Sequence, residues 1–145
     1  MTTRHERWQR LVQQMPPTVR AAIPTDLWRR DLLWALDLPV EPVPIASLAW
    51  LFDIPCWQLD GIPFRLTPNA VRAGPDRYHE QYRRTLSCDL AYPIHLVRLH
   101  DGRWTVLDGI HRLLKAAMLG WADIPARKVS AEDYRRILDR PDATD

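Results

Sequence analysis

Cysteine is scarce in this 145-residue chain: Cys56 and Cys88 make no close-spaced metal pair and no disulfide framework. Long apolar runs are missing too. No apolar stretch follows the charged start, which predicts no secretory signal, and no run reaches the ~20 residues of a membrane span. The expectation is a soluble, cytoplasmic protein with no membrane partner. Net charge is only +2, so the strongly basic footprint of a dedicated nucleic-acid binder is absent, although the arginines are unevenly placed. Repeats and low-complexity tracts are lacking as well. What remains is one globular unit, and at 46% hydrophobic residues it has enough apolar chain to bury a core.

Three zones follow along the chain. Residues 1–38 read as an N-terminal helical extension. Arg4 to Met15 is basic and amphipathic, with Trp8, Leu11, Val12 and Met15 on one side, and Pro16-Pro17 ends it. Thr25 is placed to cap a second helix in which Trp28, Leu32 and Leu36 recur at i, i+4 and i+8 until Pro39. Residues 39–140 read as the main domain, and 141–145 as a frayed tail. Between Pro39 and Gly74 prolines recur at 39, 42, 44, 55, 63 and 68, which forbids a long helix and favours short strands and turns. Val43 to Leu48 is the expected opening strand, Ala49 to Phe52 a helical turn, and Asp60-Gly61 a turn. The aromatics Trp50, Phe52, Trp57 and Phe64 either fill the core or offer a stacking surface for a ligand ring. Pro75 suits the first position of a helix reaching about Leu86, with Tyr78, Tyr82 and Leu86 on one face. Ile94–Leu99 and Trp104–Leu107 then form a hairpin across Asp101-Gly102, and Ser130 with Asp133 caps a last helix, Ala131 to Leu138.

The most informative stretch is Trp104 to Val129. Period-two apolar residues make a strand, Asp108-Gly109 breaks it, and Ile110 to Leu119 carries Leu113, Ala116, Ala117 and Met118 on one helical face. Gly120 suits a left-handed terminator, and Ile124 to Val129 resumes an extended pattern. Asp108, His111 and Arg112 thus gather at a helix start, where free N–H groups and the positive dipole end favour an anion. A guanidinium there adds bidentate recognition of phosphate or carboxylate.

The order Pro93-Ile94, hairpin, Asp108-Gly109-Ile110-His111-Arg112, Ala116-Ala117, Gly120 and Ile124-Pro125 resembles the ParB/sulfiredoxin-like superfamily. The resemblance spans Pro42 to Val129 and is specific over Pro93 to Val129. It implies a small mixed sheet with packed helices, here with the N-terminal extension added, and a nucleotide held at the box after the strand. ParB domains carry Gly-Glu-Arg-Arg at this turn; here Ile110 replaces the Glu, His111 the first Arg, and Lys115 stands where Ala is usual. The cysteine that sulfiredoxins place before the His is Ile110, so sulfiredoxin chemistry is not expected. The Asp-Gly-His-His-Arg box of the free serine kinases is more similar, sharing Asp108, Gly109, His111 and Arg112. That likeness implies phosphate handling and phosphotransfer to a small hydroxyl compound, with ATP, ADP or CTP as the nucleotide. The catalytic Glu that those kinases place early in the domain has no counterpart here.

The candidates carry structural and functional roles side by side. Arg112 pairs with Asp108 to fix the turn, or the pair also holds phosphate. Asp108 accepts from a backbone N–H, orients Arg112, or binds Mg²⁺ alongside the phosphates. His111 is a general acid or base near neutral pH, or a polar residue capping the helix. Gly109 and Ile110 supply backbone to the anion, and Lys115, one turn on, reaches a terminal phosphate or lies in solvent. Glu41, Asp53, Asp60 and Glu80 are the available carboxylates for taking a hydroxyl proton. The leading expectation is a stand-alone nucleotide- or phosphate-binding domain that hydrolyses a nucleotide or transfers phosphoryl to a small molecule. The alternative is a DNA-associated or regulatory partition-like module without turnover, using Arg4, Arg7, Arg10, Arg20, Arg29 and Arg30; nothing after Val129 is long enough for a helix-turn-helix and a dimerisation domain.

Overall fold

The computed structural model describes residues 2–140, so the expected tail lies outside the described residues. Helix α1 (Arg4–Gln13) starts where Thr3 accepts from the Glu6 N–H, and a short α2 (Pro17–Arg20) begins with proline at its first position. The second long N-terminal helix is corrected: α3 covers only Arg30–Ala35. Tertiary pairing explains the loss of its first turn. The Arg29 N–H donates to the Ile137 carbonyl, Asp139 N–H donates to the Leu27 carbonyl, and Trp28 bridges Leu138, which holds this stretch extended.

Strand β1 is Glu41–Pro44, shorter than expected, because Ile45–Ser47 and Ala49–Asp53 coil into 3₁₀ turns. Pro42 and Pro44 lack N–H donors, and β1 accordingly lies at the edge of the sheet, paired only with β6. Strands β2 (Trp57–Leu59) and β3 (Ile62–Leu66) form a separate hairpin around Asp60-Gly61. The helix expected from Pro75 is also corrected. Thr67 caps a helix α4 (Pro68–Ala73) with Pro68 at its start, residues around Pro75 turn, and α5 begins only at His79 and runs to Ser87. Its buried residues are Gln81 and Thr85, while Leu86 faces solvent.

The remaining order matches the reading of the sequence closely. Strands β4 (Ile94–Arg98) and β5 (Trp104–Asp108) make the hairpin, α6 (Ile110–Met118) follows, then β6 (Asp123–Val129) and α7 (Ala131–Arg136), capped by Ser130 accepting from the Asp133 N–H. The molecule is thus mixed α/β, with a four-stranded mixed sheet in the order β1-β6-β4-β5, in which β4 and β6 run parallel. Helix α6 crosses one face, where Leu113, Leu114 and Ala116 bury against Ile94, Leu96, Val106, Ile124 and Ala126. A second, smaller core of Leu33, Val129 and Ile137 joins the N-terminal extension and the C-terminal segment to the sheet. The middle aromatics serve packing: Phe52 and Trp57 are buried in the main core, and Trp50 lies half-buried under the Arg103 guanidinium. Among the described residues, no helix is long and apolar enough to cross a membrane.

Candidate functional site

The site grows from the end of β5. Gly109 caps α6 at φ 118°, a left-handed conformation that a side chain resists, and a Cβ there would lie 2.6 Å from Ile94 Cγ2 and 2.8 Å from Arg112 Nη2. The bare backbone therefore lets the Arg112 guanidinium lie against the strand end. Arg112 Nη2 sits 3.8 Å from Asp108 Oδ2, an ion pair too long to be a hydrogen bond. Its Nε and Nη2 are buried and have no hydrogen-bond partner.

Asp108 is engaged from the N-terminal extension. Trp34 Nε1 donates to Oδ2 at 2.9 Å, and Arg30 Nη2 lies 3.6 Å from Oδ1. The Trp34 ring also meets the Arg112 guanidinium at 5.6 Å and the His95 ring edge-on at 4.5 Å. His95 is the β4 partner of Asp108, fully buried, with neither ring nitrogen hydrogen-bonded. Burial pushes its pKa down to about 4; Arg127 and Arg112 push the same way and Asp108 opposes them.

His111 stacks on Trp57 with ring centres 4.4 Å apart and planes 14° from parallel, and its Nε2 lies 2.9 Å from Gln81 Oε1. A neutral ring donating from Nε2 to that amide oxygen keeps Nδ1 as an acceptor. Burial first, and then Arg84 and Arg112, lower its pKa to about 4, below the neutral range of a general acid or base. Lys115 is engaged by backbone. Its Nζ donates to the Leu86 and Cys88 carbonyls at 2.8 and 2.7 Å, tying α6 to the end of α5 rather than lining the cleft.

A cleft of about 540 Å³ opens at the first turn of α6. Arg30, Arg84 and Arg112 line it together with Asp108, Gly109, Ile110 and His111, and among the described residues Asp108 is the one carboxylate in its wall. Trp8, Ile23, Trp28, Leu51 and Ile54 supply apolar lining. The other carboxylates considered from sequence lie elsewhere: Glu41 pairs with Lys128, Asp53 accepts from Asn69, Asp60 sits in the hairpin turn, and Glu80 is exposed. Both Asp108 oxygens already face cations or a donor, so Mg²⁺ there would have to displace Trp34 or Arg30. Among the described residues, no three His, Cys, Asp or Glu side chains cluster as a metal site. Cys56 and Cys88 both reach the cleft wall, yet burial raises each thiol, Cys56 to about 12, so neither is a ready thiolate.

Trp34, Gln81, Arg84 and His95 were not singled out from sequence, and Arg30 and Trp57 were named there only for a basic surface and for the middle aromatics. One signal was available: Gln81 and Thr85 stand four apart on an amphipathic helix, as polar residues do when they turn inward to partners. No family model, curated protein or solved structure matches the chain. Fold and cleft define it as a mixed α/β domain with a cationic cleft at a strand-to-helix turn.

Proposed function

We propose that this chain is a nucleotide- or phosphate-binding domain of the ParB/sulfiredoxin-like type, holding phosphate at the first turn of α6. The observation that carries the reading is electrostatic. Among the described residues, three guanidiniums enter one cleft with a single carboxylate, and two nitrogens of Arg112 are buried without partners. A buried donor left unmade costs roughly 1–3 kcal/mol, and a phosphate oxygen relieves that cost while balancing the charge. The nine-residue α6 adds its N-terminal dipole. ATP, ADP and CTP all satisfy this chemistry.

Binding is better supported than turnover. Transfer of phosphoryl to a small hydroxyl compound, or nucleotide hydrolysis, needs a base, but Asp108 is held by Trp34, Arg30 and Arg112, and His111 is a weak base at about 4. A partition-like DNA module is the second reading; of its basic surface, Arg4 pairs with Asp139, Arg29 with Asp31 and Arg30 with Asp108, while Arg7 and Arg20 donate to backbone carbonyls.

Thermal unfolding with ATP, ADP, CTP, GTP or pyrophosphate, each with and without Mg²⁺, tests the proposal. A ligand at ~100 times its dissociation constant adds about 2.7 kcal/mol to the folded state. The expected result is a shift with at least one of these compounds, independent of Mg²⁺ and lost in Arg112→Ala. No shift with any of them overturns the proposal.

A further inference from the structure

Arg112 has a counter-ion one helical turn away, and the two do not join. An Asp and an Arg at i, i+4 are neighbours that can close into a charge-assisted hydrogen bond of about 2.7–2.9 Å. Here Asp108 Oδ2 stays 3.8 Å from Arg112 Nη2, although both side chains are mostly buried. Nε and Nη2 of Arg112 meanwhile have no hydrogen-bond partner. An approach of about 1 Å would satisfy Nη2. An unmade contact between buried opposite charges requires something that holds the carboxylate back.

Trp34 on α3 supplies that restraint. Its Nε1–H donates to the same Oδ2 at 2.9 Å. The indole has little freedom to follow Asp108 elsewhere: the His95 ring meets it edge-on at 4.5 Å and the Tyr92 ring at 6.0 Å, and its chain neighbour Leu33 is fully buried in the second core. Arg30 pulls less, since its side chain is 74% exposed and lies 3.6 Å from Oδ1. Trp34 itself lies outside the cleft lining. Resting on the anion reading above, we infer that Trp34 is a positioning residue, which holds Asp108 off Arg112 and so keeps the Arg112 donors free for an incoming anion. With Trp34 withdrawn, Asp108 closes on Arg112 and competes with the ligand from inside the protein. Docking of α3 and anion binding therefore favour each other, and by linkage each strengthens the other by the same factor. The N-terminal extension is in this way a regulator of the site.

Calorimetric titration of the wild-type protein with pyrophosphate, ADP, ATP, CTP and GTP selects the tightest probe. That probe is then titrated into Trp34→Phe, Asp108→Asn and the double variant. Trp34→Phe keeps a ring and loses the N–H. Couplings of this kind correspond to roughly 5- to 150-fold in affinity. The expected result is a weakening of that size in Trp34→Phe, and no effect of Trp34→Phe once residue 108 is a neutral amide with no charge to compete. A loss that persists undiminished in the Asp108→Asn background marks a general loosening and overturns the positioning role, as does unaltered affinity in Trp34→Phe. Both outcomes leave the anion site standing. The wild-type protein supplies a further readout that needs no variant to fold. Saturating probe should slow amide exchange in α3, and unchanged exchange there overturns the coupling. A wild-type protein that binds none of the five compounds overturns both readings.

Discussion

At the residue scale the site depends on an atom that is missing. Gly109 has no Cβ, and any side chain there meets Ile94 and Arg112 at less than 3 Å while its backbone keeps a positive φ. Gly109→Ala is expected to cost at least about 1–3 kcal/mol of stability from the backbone alone and to displace the Arg112 guanidinium. Chemical denaturation reads the first effect and nucleotide titration the second; an alanine variant with unchanged stability counts against the geometry. Arg112→Ala should behave oppositely, abolishing binding at little cost to the fold, because two of its nitrogens make no hydrogen bond to be lost. Both positions were legible in the sequence, since Asp108-Gly109 breaks a strand and Arg112 follows within one helical turn. The environment of His111 was not. Its lowered pKa comes first from burial, then from Arg84 and Arg112; the Trp57 ring stacked on it is distant in the chain, and no local pattern encodes that burial.

At the scale of elements, the strand-turn-helix from Trp104 to Val129 was readable because its period, its turn dipeptide and its terminating Gly120 at φ 81° agree with one another. The N-terminal helices were less so. The i, i+4, i+8 spacing of Trp28, Leu32 and Leu36 satisfies a helix, yet residue 28 joins a β-bridge to Leu138, a long-range choice that periodicity cannot show. Likewise Pro68 and Pro75 are equally good helix starters by type, and Thr67, whose side chain accepts from the Ala70 N–H, decides for the first. What α3 contributes is testable through Trp34. Trp34→Phe keeps an aromatic ring over His95 but removes the N–H that Asp108 accepts. A hydrogen bond to a charged group contributes about 1.5–3 kcal/mol, so a destabilisation of that order is expected in urea unfolding. A neutral result would mean that the extension contributes nothing to holding Asp108.

At the scale of the whole molecule, His95 and His111 couple the fold to pH. Both sit at about 4, below the ordinary 6.5, chiefly through burial. Arg127, Arg112 and Arg84 add to the effect, and Asp108 opposes it at His95. The unfolded chain therefore binds protons that the folded chain refuses between about pH 6.5 and 4, so stability falls as pH drops through that window and levels off above it. Urea unfolding at about pH 7.5, 5.5 and 4.5 should show the decline, and His111→Gln should remove part of it. Equal stability at all three values would contradict the burial of both rings.

The clasp between the extension and the C-terminal segment has a kinetic meaning as well. Arg4 pairs with Asp139 at 3.2 Å, and Trp28 bridges Leu138, so contacts form between residues separated by most of the chain. Loop-closure entropy grows with that separation, whereas β4, β5, α6 and β6 are consecutive and close only short loops. The extension is thus the last part of the fold to lock and the first to let go. Hydrogen exchange is expected to register it as faster amide exchange in α1 to α3 than in α6, and equal protection in both would count against this order of locking.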